Sequence, residues 1–221
     1  MTTFPGSPRL LKGGIVLIDP TSGAVQRIIA LQYNPDTLSR TLQVRGVGAE
    51  GGDRSEALRL KGPPVETIKV EAEIDATDQL ELPDQGQNRI ATELGIVPQL
   101  AALETLVYPT SGQLQANNNL AQAGTLEIAP METPLALFVW SKQRIMPVRI
   151  TDFSITEEAF DPALNPIRAK VSLGLRVLSV DDLGFQHKGG SLFMRYLQNK
   201  EQLAARAQGG TLSTLGIGGI P

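Results

Sequence analysis

Between residues 65 and 76 the chain reads VETIKVEAEIDA, with an apolar residue at every second position. Ile68, Val70, Ala72 and Ile74 therefore share one face of an extended strand, and Thr67, Lys69, Glu71, Glu73 and Asp75 share the other. The same period runs unbroken through IRAKVSLGLRVL at 167 to 178. There Ile167, Ala169, Val171, Leu173, Leu175 and Val177 face one way, and Arg168, Lys170, Ser172, Gly174 and Arg176 the other. Such alternation predicts strands with one buried face. RIMPVRITDFSITEEAF (144 to 160) also alternates but changes phase, since Val148 and Ile150 keep one parity and Phe153 and Ile155 the other. A one-residue slip that leaves both halves buried predicts a β-bulge. PLALFVWS (134 to 141) is apolar on both faces and predicts a central strand.

Shorter patterns fill the rest. GIVLID (14 to 19) and VQRIIALQY (25 to 33), separated by the turn cluster PTSG, predict a hairpin. A turn at Asn34-Pro35-Asp36 leads into a strand with Leu38, Leu42 and Val44 on one face and Ser39, Thr41, Gln43 and Arg45 on the other. Residues 46 to 64, Gly-rich and charged, predict a long loop. The period turns helical in residues 88 to 109, where Leu94, Ile96, Leu100, Leu103 and Leu106 recur, Pro98 opens a second helical stretch and Pro109 ends it. Polar, low-complexity residues 110 to 124 read as loop. Residues 190 to 208 read as a helix with Leu192, Tyr196 and Leu203 near one stripe, followed by a flexible Gly-rich tail. This order fits an antiparallel barrel or sandwich better than a parallel βαβ sheet. The expected class is mainly β, a β-rich α+β fold. Residues 1–180 form the β domain with the helical insert near 88–109 and the loop 46–64, and 181–221 form a C-terminal helix and tail.

Composition narrows the chemistry. With no cysteine, disulfides, thiolate metal sites and a thiol nucleophile are excluded. The single histidine, His187, lies in FQHKGG and reads as a loop residue rather than a general base. Net charge is −3, too close to zero to predict nucleic-acid or anionic-lipid binding. The longest apolar runs fall short of the ~18 residues of a spanning helix, and MTTFPGSPRLLKGG lacks the apolar core of a signal peptide. Membrane insertion is not expected, and the location is cytoplasmic during assembly. Six Phe, three Tyr and one Trp are too few for a stacking platform for bases or sugars. GVGAEGG (46 to 52) lacks the Lys-Ser/Thr of a phosphate loop. Glu157, Glu158 and Asp161 could form an acid/base pair, but Asp161 ahead of Pro162 reads as an Asx-type turn former. No catalytic, cofactor-binding or metal residue is assigned, and no enzyme is expected.

The charged rows are more informative. Arg40 and Arg45 lie on one strand, Arg168, Lys170 and Arg176 on another, and Lys69, Glu71, Glu73 and Asp75 on a third. In a monomer they keep an outer face solvated; in a ring they would meet opposite rows on a neighbour and set register. All of these but Asp75 are the interface candidates, and their positions alone leave both readings open.

Two motifs favour the second. YNPDTLSRTLQ, through Tyr33, Asn34, Pro35, Leu38 and Ser39, resembles the opening of baseplate proteins from contractile injection systems, which are phage-tail-like particles. VRITDFSITEEAFDPALNPIRAKVSLGLRVL, through Phe160, Asp161, Leu164, Asn165, Pro166, Arg168 and Ala169, resembles a second signature of that family. The likeness spans residues 14 to 180. It implies a tail-tube-like β-barrel adaptor, packed as a hexameric ring between spike hub and inner tube, within a particle that is released or membrane-attached. The implied partners are further copies of the chain, inner-tube proteins, the spike hub and baseplate wedge proteins. Many members carry a C-terminal LysM module; this chain has room only for a helix and tail. The alternatives are a carbohydrate- or peptidoglycan-binding module, a hydrolase using Glu157 and Asp161, and an inner-tube protein proper.

Overall fold

A computed structural model describes residues 10–46, 59–124, 133–207 and 209–220; most of the loop expected over 46–64 lies outside them. Seven strands form one antiparallel sheet: β1 (Gly14–Ile18), β2 (Val25–Ala30), β3 (Leu38–Gln43), β4 (Val65–Asp75), β5 (Leu135–Ser141), β6 (Arg144–Phe160) and β7 (Pro166–Val177), in the order β2-β1-β5-β6-β7-β4-β3.

Strand β6 joins two half-sheets. Its first residues pair with β5 as far as Val148, and from Val148 onward it pairs with β7. The predicted phase change falls beside this crossover. Ile150 is opposite Leu175 and Asp152 opposite Gly174, so Thr151 is the extra residue of a bulge. A Cβ on Gly174 would lie 2.8 Å from that of Asp152, so a residue without a side chain is needed there.

The sheet stays open where a barrel was expected: its outermost strands, β2 and β3, do not pair with each other among the described residues. Only residues 31 to 37 separate β2 from β3, the two outermost strands. In place of a β2–β3 ladder there is a side-chain clamp: Gln32 Nε2 donates to the Asp75 carbonyl (2.6 Å), and the Asp75 amide donates to Gln32 Oε1 (3.0 Å). Arg27 on β2 donates to Thr105 of the helical insert (2.6 Å) rather than facing β3. The closing rung is thus made by side chains and an insert, and both edge ladders remain unpaired among the described residues.

One face of the sheet carries the main core. Ile68, Val70, Ala72 and Ile74 of β4 pack with Ala169, Val171, Leu173, Leu175 and Val177 of β7, as the alternation predicts. Ile15, Phe138, Met146 and Val148 join them from the other half-sheet. On the opposite face, Ile18, Leu135 and Leu137 form a smaller cluster with Leu178, Leu183 and Leu192.

The helical insert is α1 (Thr77–Leu80), α2 (Arg89–Leu94), α3 (Val97–Glu104) and α4 (Ser111–Gln122). The predicted helix is broken at Gly95, after which α3 starts with Pro98 in its first turn and delivers Leu100 and Leu103 to the core. Residues 110 to 124, expected as loop, contain α4. Its capping box is formed by Thr110 and Gln113. None of its residues is buried, so no apolar stripe marks it in the sequence. After β7 come α5 (Val180–Leu183) and α6 (Lys188–Ala204), which places Phe193 and Tyr196 in the main core. His187 is the N-cap of α6, its Nδ1 accepting the Gly189 amide at 3.0 Å. No helix among the described residues is long and apolar enough to cross a membrane.

Candidate assembly interface

The Asp-Pro/Asn-Pro segment between β6 and β7 is a closed hydrogen-bonded knot. One Asp161 carboxylate oxygen accepts the amides of Ala163 and Asn165, both at 2.8 Å, and the other accepts Asn165 Nδ2 at 2.9 Å. Asn165 also donates an amide hydrogen to the Glu93 carbonyl (3.3 Å), and the Ile96 amide donates to the Pro166 carbonyl (2.8 Å). The connection therefore holds β6, β7 and the α2–α3 junction together. The hydrogen bonds from Asn165 keep the Asp161 carboxyl below its ordinary range. A carboxylate so held is the turn former that the sequence suggested. Leu164 at the tip takes φ 67° and is exposed. A leucine in the left-handed region costs about 1–2 kcal/mol relative to the right-handed one. Leu164→Gly is accordingly expected to stabilise the fold by about 0.5–1 kcal/mol in urea unfolding, after the entropy cost of glycine; a loss of stability would contradict this account.

The first motif is also a staple. Asn34 Oδ1 accepts the Gly13 amide (2.9 Å) and its Nδ2 donates to the Leu11 carbonyl (2.7 Å), tying the entry to β1 against the β2–β3 link. Tyr33 beside it is exposed, as is Phe160 at the end of β6.

The charged candidates fall into three groups. Four cations are paired within the chain across the outer surface: Arg45 with Asp181 (2.6 Å), Arg168 with Asp75 (2.8 Å), Lys170 with Glu158 (2.8 Å) and Arg176 with Asp182 (2.7 Å). Each is partly or largely exposed, so solvent screens it and it adds little to stability. Lys69, Glu71 and Glu73 stand exposed on β4 and have no ion-pair partner within 4.0 Å among the described residues.

Arg40 forms the third group, and it does not lie on the outer face as the row reading expected. It shares parity with Leu38 and turns inward to Glu66 on β4, with its Nε at 2.8 Å and Nη2 at 2.5 Å from Oε1. Lys200 Nζ reaches Glu66 Oε2 at 2.9 Å from α6. The Tyr196 hydroxyl lies 3.0 Å from both Glu66 Oε1 and Arg40 Nη2, while Lys200 sits 4.1 Å over the Tyr196 ring. Glu66 is only 4% exposed. Burial pushes its carboxyl up, but hydrogen bonds from Lys200 and Arg40 outweigh that and hold it below the usual range. Burial raises the Tyr196 phenol. Sequence reasoning passed over this cluster, although Glu66 carries a visible signal: it is the charged residue in phase with Ile68, Val70 and Ala72.

What remains unsatisfied is backbone and apolar. Val25 and Ile28 on β2, and Leu42 and Val44 at the end of β3, are exposed on strands with one free side each. The sequence pattern expected Leu42 and Val44 on a buried face; β3 is an edge strand, and only Leu38 packs on the core. No group of three metal-ligating side chains is found among the described residues.

The architecture is that of an antiparallel β-rich α+β domain with unpaired sheet edges. No family model and no curated protein matches the sequence. Among solved structures, it is similar to a chain in the tail of an empty gene transfer agent particle with C6 symmetry, at 14% identity and a TM-score of 0.28, covering 75% of this chain and 90% of that one. It is also similar to a chain in the virion of a native gene transfer agent particle, at 12% identity and a TM-score of 0.26, covering 74% and 90% respectively. At these TM-scores the likeness says nothing about function.

Proposed function

We propose that the chain is a structural subunit of a phage-tail-like injection particle, a ring-forming baseplate adaptor between spike hub and inner tube. The observation that carries this reading is the pair of free edges, β2 and β3, at opposite ends of one sheet and each bearing exposed apolar side chains. Free edges with apolar side chains are aggregation-prone in a monomer and useful in a closed ring, where every copy gives one edge and receives the other. Resemblance of the Asn-Pro motifs to baseplate proteins supplies the setting and the hexameric count. Lys69, Glu71 and Glu73, free of ion-pair partners among the described residues, are the charges available to fix register against a neighbour; Arg40, Arg45, Arg168, Lys170 and Arg176 stabilise the subunit first.

Native mass spectrometry of the purified chain tests the ring. A discrete oligomer is expected, and Ile28→Lys should reduce it to monomer while leaving the melting temperature within about 2 °C, because Ile28 is 68% exposed. A chain that stays monomeric at assembly concentrations, or that cryo-EM of the particle places off the central axis, would overturn the reading.

A further inference from the structure

The first turn of α6 is built from residues that disfavour a helix. It reads Lys188-Gly189-Gly190-Ser191, and each glycine costs a helix about 1 kcal/mol relative to alanine. Neither glycine is open to exchange. A Cβ on Gly190 would collide with the Gly184 carbonyl, and one on Gly189 with the Leu183 side chain. The tight turn between α5 and α6 therefore imposes both glycines, and the start of the helix depends on its cap.

That cap is His187. Ser, Thr, Asp and Asn are the usual residues at this position, and none of them titrates near neutrality. His187 Nδ1 accepts the Gly189 amide at 3.0 Å. An imidazole nitrogen that accepts carries no proton, so the ring is neutral with its hydrogen on Nε2. A proton on Nδ1 would set N–H against N–H and remove the cap. It would also add a positive charge at the positive end of a 17-residue helix, beside Lys188.

No carboxylate is placed to receive that charge. The half-buried ring lines a cleft of about 930 Å³ together with Arg27 of β2 and Arg149 of β6. On α5, Asp181 is paired with Arg45, and Asp182 with Arg176 and the Ser179 amide. Asp19, in the β1–β2 turn, accepts the Thr21 and Ser22 amides. β5 carries no charged residue, and α6 itself adds Lys188 and, two turns on, Arg195. Among the described residues no carboxylate lies within 4.0 Å of the imidazole nitrogens.

We propose that His187 makes the start of α6 a pH-operated latch, closed while the imidazole is neutral and released when it takes up a proton. The linkage has one sign. The capped form holds fewer protons than the opened form, so the stability of this turn rises with pH. It is lost as pH falls through the range, between about 8 and 5, in which an imidazole ordinarily gains its charge. Release loosens residues 184 to 187, where Phe185 is already exposed, and frees Leu183 from its packing on Ile18, Leu135 and Leu137. The rest of α6 stays held by Phe193 and Tyr196 in the core and by Lys200 on Glu66. The latch operates within one chain and does not depend on the ring.

Nuclear magnetic resonance of the full-length chain tests it, because His187 is the only histidine and its ring signals need no sorting. At pH 7.5 the imidazole nitrogens should report the Nε2–H tautomer. The amides to follow are Gly189, bonded to His187 Nδ1, and Ser191, bonded to the His187 carbonyl. Their protection, corrected for the intrinsic pH dependence of exchange, should fall about fivefold between pH 7.5 and 5.5, the factor matching a cap worth about 1 kcal/mol. Protection in β7 should not change. His187→Asn supplies an acceptor that does not titrate and should keep both amides protected at both pH values, whereas His187→Ala should leave them weakly protected at both. A neutral ring with its proton on Nδ1 overturns the cap. Wild-type protection that does not respond to pH, or an equal fall in His187→Asn, overturns the latch; the wild-type titration decides even where a variant fails to fold.

Discussion

Glu66→Ala is expected to lower the unfolding free energy by about 2–3 kcal/mol. Removing one partner of a buried ion pair leaves the others without compensation and costs roughly 3–5 kcal/mol when all are dry. Arg40 and Lys200 keep part of their side chains in solvent, which brings the figure to the lower end. The loss should be visible in α6 first, because Lys200 and the Tyr196 hydroxyl are the polar contacts holding its second half to β4. Hydrogen exchange in residues 193 to 204 should accelerate more than in β7. Tyr196→Phe, which removes one hydroxyl and keeps the ring in the core, should cost only about 1 kcal/mol. The pH dependence has a definite sign. The Glu66 carboxyl is held below its ordinary value of 4.5, so its contribution is fully present above about 4.5 and disappears as pH falls through the depressed folded value. The gap between wild type and Glu66→Ala in urea melts should therefore be wide at pH 7 and narrow as the carboxyl protonates. A gap independent of pH across that window would show that the ion cluster contributes nothing as a charge.

Much of the fold was legible because its strands are long and one-sided. β4 and β7 announce their buried faces through runs of consecutive in-phase apolar residues, and the bulge at Thr151 appears as a change of parity between Ile150 and Phe153. The knot was legible through Asp161, whose place before a proline allows few other roles. What escaped depends on information that does not repeat along the chain. α4 has a capping box but no buried face, so its periodicity is empty. The contact of the β2–β3 link with β4 is made by Gln32, one amide bridging to Asp75, and no local pattern says where that amide points. Arg40 was placed outside because arginine is usually solvated, although its parity with Leu38 directs it inward. The assembly edges were only half visible: Val25 and Ile28 look like core residues in sequence, and it takes the sheet order to show that they lie on an outermost strand.

Gly95→Ala should be at least as damaging, by a mechanism that ties the family motif to the insert. Gly95 ends α2 at φ 57°, ψ −134°, outside the left-handed helical well and in a region L-residues scarcely enter, where a side chain costs about 1–3 kcal/mol. The added Cβ would also lie 2.2 Å from the Pro166 carbonyl oxygen, a contact that no rotamer can relieve because both atoms belong to backbone positions. Overpacking of this kind adds about 1–3 kcal/mol, so a total near 3 kcal/mol is expected. The same carbonyl accepts the Ile96 amide, and Asn165 reaches the Glu93 carbonyl, so pushing the strands apart also breaks the bonds that dock α3. Ile96, Leu100 and Leu103 would then leave the core together. Thermal unfolding should show a lower midpoint with earlier loss of helix signal than of sheet signal. Gly184 provides a control: it also has positive φ, but a Cβ there meets nothing within 4 Å. Gly184→Ala should cost only the conformational share, about 1–3 kcal/mol for a φ 72°, ψ 161° backbone. If the two substitutions prove equal, the close approach to Pro166 contributes nothing, and the knot does not clamp the insert.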